Sequence, residues 1–192
     1  MTVRFASPGD GPAAAALHVS QIEAGFLASL GVGFLTRLYR RIAREERSLL
    51  LVAEDNGQVV GFAAASLDVT ALYRSFLLRD GAVAAVLAAP RLARSWRKAL
   101  ETFRYPGHAS SALPKAELLS VAVAPSSRGR GYGRALVAEV TAELRRRGSD
   151  GVRVVVAADN HAARALYLSC GFEPVACFEM HAGSTSEVLT CS

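Results

Sequence analysis

One stretch in the middle of the chain, residues 118–137, constrains the fold more than any other part of the sequence. It begins with an apolar run from Leu118 to Ala124, broken only by Ser120, which predicts a strand buried on both faces. Pro125 ends this strand, because proline cannot donate a hydrogen bond to a sheet ladder. A glycine-rich turn, RGRGYG, then leads into a helical pattern with apolar residues on one face.

The order of strand, turn and helix predicts an anion-binding site at the turn. The first backbone N–H groups of a helix have no intrahelical partner and lie at the positive end of its dipole. Glycines let that backbone approach a phosphate closely, and Arg128, Arg130 and Arg134 add positive charge. The alternative is an arginine- and glycine-rich surface turn with no ligand, which the buried strand and amphipathic helix around it disfavour. We therefore expect a ligand that carries phosphate.

Two motifs identify which kind of phosphate ligand to expect. The turn lacks the Gly-Lys-Ser/Thr of a P-loop, and Leu136 stands where the dinucleotide fingerprint needs a glycine. It does match Arg-x-x-Gly-x-Gly, through Arg128, Gly131 and Gly133. Downstream, residues 160–172 match N-x-x-A-x-x-L-Y-x-x-x-G-F. In these two motifs the chain resembles the GNAT superfamily of acyl-CoA N-acyltransferases, firmly over roughly the C-terminal 80 residues and by element order before them.

The resemblance implies an α/β (α+β) GNAT fold, with a mixed, mostly antiparallel twisted sheet and helices on both faces. With 192 residues and 51% hydrophobic content, we expect residues 1–192 to form one such domain. Local patterns predict strands at 2–6, 48–54, 58–67, 118–124, 151–157, 172–180 and 187–190, and helices at 13–24, capped by Asp10, and 34–45. Asp55-Asn56-Gly57 predicts a hairpin turn, Asn160 a helix cap, and Gly148 the end of the central helix after Arg145, Arg146 and Arg147.

The basic charge of the chain is concentrated in residues 71–105, a predicted helical insert between the third and fourth strands. Seven basic and two acidic residues lie there, an excess equal to the net charge of +5 of the whole chain. Such a local excess argues against a general nucleic-acid-binding composition. Two helices separated at Pro90 are expected. They could cover the sheet edge, form a lid beside the acceptor site, contact an anionic membrane surface, or form a homodimer interface.

Cysteine usage and hydropathy set the expected compartment. Cys170, Cys177 and Cys191 are odd in number and form no C-x-x-C pair, which predicts reduced thiols in a cytoplasmic protein. The N-terminus has no signal-peptide pattern, and no apolar run has the length of a membrane span. No spacing of cysteine, histidine and acidic residues supports a metal site. We expect no integral membrane segment, no nucleic-acid partner and no metal.

The resemblance implies acetyl-CoA as co-substrate and residue roles around its thioester. Backbone N–H groups of Val121 and Val123, beside a bulge at Ser120 or Val121, would polarise the carbonyl. Tyr167 would give a proton to the departing thiolate, with simple packing on the cofactor as the alternative. Glu117 would take the amine proton, with a solvated carboxylate as the alternative, and Glu23 and His18 are reserve candidates. The residues expected to bind acetyl-CoA are Val121, Ala122, Val123, Arg128, Gly129, Arg130, Gly131, Tyr132, Gly133, Arg134, Asn160, Ala163 and Tyr167.

The implied function is transfer of an acetyl group to the primary amine of a small molecule or sugar, by direct attack in a ternary complex. Because one fold hosts several functions, a non-catalytic acyl-CoA-binding regulatory module and a protein or peptide N-acetyltransferase are the alternatives. The length of the insert favours a covered small-molecule pocket over an open peptide groove. No motif in the expected acceptor-binding segments identifies the acceptor.

Overall fold

The computed structural model describes residues 2–22, 26–81, 83, 113–180 and 184–192. Within these ranges, the strands are β1 (Thr2–Phe5), β2 (Ser48–Asp55), β3 (Gln58–Ser66), β4 (Ala116–Val123), β5 (Val152–Ala157), β6 (Glu173–Met180) and β7 (Ser184–Cys191). The helices are α1 (Gly11–Gln21), α2 (Phe26–Ser29), α3 (Val32–Ile42), α4 (69–81), α5 (Tyr132–Arg146) and α6 (His161–Ser169). Short 3₁₀ turns at Pro8–Asp10 and Pro125–Ser127 precede α1 and α5.

The strands form one mixed sheet in the order β1-β2-β3-β4-β5-β7-β6. Every neighbouring pair is antiparallel except β4 and β5, which run parallel. A parallel pair needs a crossover connection, and α5 provides it. The mostly antiparallel sheet with helices on both faces confirms the predicted fold class.

Two hydrophobic cores lie on opposite faces of the sheet. The α5 face is packed by α5 and α6, with Leu118, Leu136 and Phe172 among its buried residues. The α3 face is packed by α1, α3 and α4, with Leu35, Tyr39 and Phe62 among its buried residues. Because alternate residues of a strand point to opposite faces, a strand covered on both sides must be apolar throughout. This explains the unbroken runs LLLVA in β2 and GFAAA in β3, whose residues alternate between the two cores.

The predicted ends of the strands and helices lie close to those in the structure, but one predicted helix cap is wrong. The hairpin turn is confirmed, since Asn56 and Gly57 both have positive φ, at 50° and 76°. The prediction that Asp10 caps α1 is wrong, because its side chain makes no capping hydrogen bond to that helix. The Asp10 carboxylate instead accepts from the Ser7 backbone and pairs with Arg4, which anchors β1 to the turn before α1. These contacts lower the pKa of Asp10 to about 2, with the Arg4 hydrogen bond as the largest cause.

Both caps predicted for the C-terminal half are confirmed. Asn160 accepts a hydrogen bond from the Ala163 N–H at 3.1 Å and so begins α6. Gly148, with φ of 86°, ends α5: its N–H donates to Arg145 and the next N–H, of Ser149, donates to Leu144. This is the Schellman arrangement, in which a left-handed residue closes a helix.

Of the predicted insert, only the first part of the first helix falls within the described residues, as α4. The second predicted helix, after Pro90, lies outside them, as does the reserve candidate Glu23. In the part of the chain that is described, none of the helices combines the length and the apolar character that crossing a bilayer requires.

We expect Leu136→Ala to lower the free energy of unfolding by about 3 kcal/mol, because Leu136 is fully buried between α5 and the sheet and its loss leaves a cavity. Leu78→Ala is the matched control, since Leu78 on α4 is 77% exposed and should change stability by about 0.5 kcal/mol or less. Urea denaturation of the two variants measures the difference. Equal losses would contradict the assignment of Leu136 to the core.

Candidate active site

The candidate site lies where β4 and β5 separate. These two parallel strands pair over three residues only, ending at Leu118 opposite Val154. Beyond that point β4 continues to Val123 and β5 to Ala157. Although β4 is the central strand, Leu119, Ser120 and Val121 are partly exposed, whereas the residues before them are buried. The separation therefore makes a cleft in the middle of the sheet.

A bulge in β4 lies at the start of this cleft. In the pairing with β3, Leu118 is opposite Ala65 and Ser120 is opposite Ala64, so Leu119 is the extra residue. The predicted bulge thus exists, but one residue earlier than the expected Ser120 or Val121. An extra residue reverses the alternation of side chains along a strand. Ser120 therefore points to the α3 face instead of the α5 face, and Val121 and Val123 pack on the α5 face.

The backbone of β4 presents two N–H groups to the cleft. The Ala124 N–H donates to the Val60 carbonyl at 2.8 Å, toward β3. Since N–H directions alternate along a strand, the Ala122 N–H also points toward β3, and those of Val121 and Val123 point to the opposite edge. That edge borders the cleft. Of the three β4 residues expected to bind the co-substrate, Val121 and Val123 are oriented for it, and Ala122 faces the α3 core.

The glycine-rich loop lies directly after β4, at the N-terminus of α5. Gly129 and Gly131 have φ of 72° and 83°, a left-handed conformation that favours glycine. A Cβ at either position would meet no atom within 4 Å, so the backbone is open to a ligand there. Gly131 is the N-cap of α5, and no side chain caps the helix. The free N–H groups and the helix dipole together suit an anion.

The three loop arginines have different partners. The Arg128 guanidinium donates to the Gln21 amide oxygen of α1 at 2.6 Å. The Arg130 guanidinium pairs with Asp55 of the β2–β3 hairpin at 2.7 Å, and this pair lowers the pKa of Asp55. Both of these arginines are exposed and able to exchange partners. Arg134 instead donates to the Ser169 carbonyl at 2.8 Å and ties α5 to the end of α6.

Two residues of the loop motif have structural roles. Tyr132 is buried in the α5-face core, so only its backbone can contribute to an anion site. Gly133 lies inside α5, and a Cβ there would come within 3.3 Å of Leu166 of α6. The last glycine of the motif thus permits close packing of two helices, whereas Gly129 and Gly131 shape the loop.

Tyr167 lies on the α5 face, in the same core as Val121 and Val123. It is only 6% exposed, and its ring packs on Phe172 with centroids 5.7 Å apart. Burial, with a smaller contribution from Cys170, raises the pKa of Tyr167 to about 12. The phenol is therefore protonated at neutral pH and able to donate a proton.

Glu117 lies in the middle of the three-residue β4–β5 pairing and on the α3 face. It is opposite Arg153 in the register, and the Arg153 Nη2 is 2.8 Å from its carboxylate. Glu117 is 8% exposed, so the alternative of a solvated carboxylate at a strand start is wrong. Burial raises its pKa, and Arg153 opposes this rise without cancelling it. Burial, together with the negative charge of Glu117, raises the pKa of Tyr73 on α4 to about 12.

A buried polar cluster on the α3 face was missed by the sequence analysis. His18 of α1 is 3% exposed, and its Nδ1 lies 2.5 Å from the Tyr39 hydroxyl of α3. Burial lowers the pKa of His18 to about 4, so the ring is neutral at pH 7. The pKa of Tyr39 is raised by burial and lowered somewhat by a hydrogen bond with Ser120. His18 was a reserve candidate for the base, but nothing in the sequence connects it to Tyr39 and Ser120.

In the described part of the chain, cysteine and acidic side chains give no sign of a metal site. All three cysteines are free, and Cys191 is a buried member of the α5-face core. Among the described residues, no three histidine, cysteine or acidic side chains lie close enough together to hold a metal ion.

Comparison with known proteins places this arrangement in a family. The family model described as "Acetyltransferase (GNAT) family" matches residues 20–172, which is most of the chain and includes both motifs. The chain also shares 47% identity over 60 residues with a mycothiol acetyltransferase of Beutenbergia cavernae. That match covers 31% of this chain and 20% of the relative, so it spans about a fifth of the relative's length.

Solved structures share the fold along the whole chain. A ribosomal-protein-alanine N-acetyltransferase from Brucella melitensis matches with a TM-score of 0.64 and 22% identity, over 99% of this chain and 98% of that one. The protein yncA of Salmonella typhimurium, solved with its cofactor acetyl-CoA, matches with a TM-score of 0.60 and 21% identity, over 100% and 93%. At these identities the likeness concerns the fold alone.

We expect Gly131→Ala to weaken coenzyme A binding at least about tenfold, because a Cβ would enter the space through which a phosphate approaches the loop. Gly148→Ala is a close control. It lies at the other end of α5 with φ of 86° and open space around it, so it should lose similar stability, about 1 kcal/mol. Calorimetric titration with coenzyme A measures both. An equal loss of affinity in the two variants would show that strain, rather than access, is the cause.

Proposed function

This chain belongs to the acetyltransferase (GNAT) family, and we propose that it transfers an acetyl group from acetyl-CoA to the primary amine of a small molecule or sugar. The observation that carries the proposal is the cleft between β4 and β5. The N–H groups of Val121 and Val123 point into it, and the open glycine loop follows β4 directly. The protonated Tyr167 lies in the core against which Val121 and Val123 pack. These features supply what acyl transfer needs: a place for the anionic cofactor, a polarising donor and an acid.

The residues around the cleft fit acetyl-CoA. The loop backbone at Gly129 and Gly131, with Arg128 and Arg130, would hold the pyrophosphate. The free N–H groups of Val121 and Val123 would pair with the pantetheine arm and with the thioester carbonyl, as an added strand pairs with a sheet edge. When bound, acetyl-CoA supplies an acyl carbon that bonds to the amine nitrogen while its C–S bond breaks.

Protons move on opposite faces of the sheet in this proposal. Tyr167, on the α5 face, gives its phenolic proton to the sulfur that leaves, and regains one from solvent. Glu117, on the α3 face, takes the proton that the amine nitrogen loses, and releases it to solvent. A raised pKa makes Glu117 a stronger base than an ordinary carboxylate while it remains ionised. The acceptor amine would therefore approach from the α3 face.

Two features support a small acceptor. The Beutenbergia cavernae relative, of which this chain matches about a fifth, is named as an acetyltransferase of mycothiol. The segment between β3 and β4 is also long, which favours a covered site over an open groove for peptides. The name of the Brucella structure, by contrast, points to a protein substrate for that enzyme. Separate pools of amino sugars, small amines and peptides with N-terminal alanine would distinguish the two classes.

We expect Tyr167→Phe to lower turnover by about 10²-fold or more, because it removes the acid that protonates the thiolate. Release of free thiol from acetyl-CoA with each acceptor pool measures this. The rise in melting temperature caused by acetyl-CoA should be unchanged, since the ring and its packing on Phe172 remain. A two- or threefold loss of turnover would leave Tyr167 with a packing role only.

The role of Glu117 can be separated from its ion pair with Arg153. Glu117→Gln should destabilise the fold by about 3 kcal/mol, because it leaves a buried guanidinium without its counter-charge. The double variant Glu117→Gln/Arg153→Met should regain most of that stability and none of the activity.

The pH dependence gives an independent check. In the wild type, activity should be present above the raised pKa of Glu117 and fall as the pH drops through it, because the base must be ionised. The residual activity of the double variant should lack this acidic limb. Recovery of activity together with stability would mean that Glu117 is structural and that the base lies elsewhere.

A further inference from the structure

The bulge at Leu119 moves the Ser120 side chain to the face of the sheet opposite to the one that regular strand alternation would give it. Without the extra residue, Ser120 would alternate onto the α5 face, into an apolar core. With it, the side chain lies on the α3 face beside Tyr39, and it is half-buried rather than sealed. Bulges that re-aim one side chain are typical of functional sites.

The hydrogen bonds behind Ser120 have a defined direction. The His18 ring is neutral at pH 7, and a phenol is a stronger donor than acceptor, so the short contact at 2.5 Å is O–H of Tyr39 donating to Nδ1 of His18. The Tyr39 oxygen is then left to accept from the Ser120 hydroxyl. With its proton committed to Tyr39, the Ser120 oxygen can act toward a ligand only as an acceptor.

We propose that the Ser120 hydroxyl oxygen binds the N–H of the acceptor amine, and that Tyr39 and His18 are positioning residues that hold it in this role. The inference rests on the proposed function and adds an acceptor contact to it. Ser120 is adjacent to Val121, whose N–H faces the cleft, so an amine bound to Ser120 lies beside the thioester carbonyl. It is also on the same face as Glu117, the proposed base.

This contact orients the nucleophile without transferring a proton. One N–H of the amine is held by Ser120, which leaves the nitrogen lone pair free to point at the acyl carbon. Alignment of a bound nucleophile is a substantial part of the rate enhancement in acyl transfer. The contact also favours an amine over an alcohol, because a primary amine has one hydrogen for Ser120 and a second for Glu117, whereas an alcohol has a single hydrogen for both.

Two coenzyme A derivatives test the contact without knowledge of the natural acceptor. One carries –CH₂–C(O)–NH–CH₃ on its sulfur, so that an N–H follows the carbonyl, and the other carries the matching ester –CH₂–C(O)–O–CH₃. The wild type should bind the amide about tenfold more tightly than the ester, as expected for one partly buried hydrogen bond. In Ser120→Ala this ratio should fall to about one, while the affinity for the ester is unchanged.

Further variants distinguish loss of the Ser120 contact from a general loss of structure in the protein. Tyr39→Phe and His18→Asn should reduce the amide-to-ester ratio, since Ser120 is no longer held as an acceptor. Ser48→Ala removes another buried serine hydroxyl, which bonds to Ser66 on the neighbouring strand, and should leave the ratio unchanged. Equal binding of amide and ester by the wild type, or an unaltered ratio in Ser120→Ala, overturns the inference and leaves the proposed function intact. Failure of both derivatives to bind at all would overturn the proposed function as well.

Discussion

The site depends on how briefly β4 and β5 pair. Three residues of parallel pairing, ending at Leu118 and Val154, hold the two halves of the sheet together. After them the strands separate, and the backbone donors of Val121 and Val123 are left without a neighbouring strand on that side. Backbone donors that a strand leaves unpaired beside a cleft pair either with water or with a ligand, so this separation is where an extended ligand can add itself to the sheet. The glycine loop follows β4 at the N-terminus of α5, and Tyr167 lies in the core on the α5 face.

The two faces of the sheet divide the chemistry between them. On the α5 face lie the loop that suits an anion and the protonated phenol of Tyr167. On the α3 face lie Glu117 and the polar cluster of His18, Tyr39 and Ser120. The single extra residue at Leu119 places Ser120 on the α3 face with the other residues of this cluster. In the proposed reaction, the sheet itself thereby separates the acid, Tyr167, from the base, Glu117.

The sequence predicted those features that local pattern determines. The strand before Pro125, the hairpin turn at Asn56 and Gly57, the Asn160 cap and the Gly148 helix end all follow from the conformational limits of single residues. Contacts between distant segments were not predictable in this way. Nothing in a linear pattern indicates that Arg153 neutralises Glu117, or that Tyr39 meets both His18 and Ser120. Asp10 illustrates the same limit, because a tertiary pair with Arg4 replaced the expected local cap.

The ion pair between Arg130 and Asp55 has a consequence for selectivity among anions. Asp55 is the last residue of β2 before the hairpin turn, so a carboxylate of the sheet is already paired with one of the loop's arginines. The binding free energy of an incoming anion is therefore only the difference between its own attraction to Arg130 and the attraction of the Asp55 carboxylate that it displaces. Singly charged ions such as chloride or acetate gain little by that exchange, whereas a pyrophosphate brings more charge and several acceptor oxygens. Competition from the Asp55 carboxylate thus disfavours the binding of singly charged anions to the loop and leaves it free for multivalent ones.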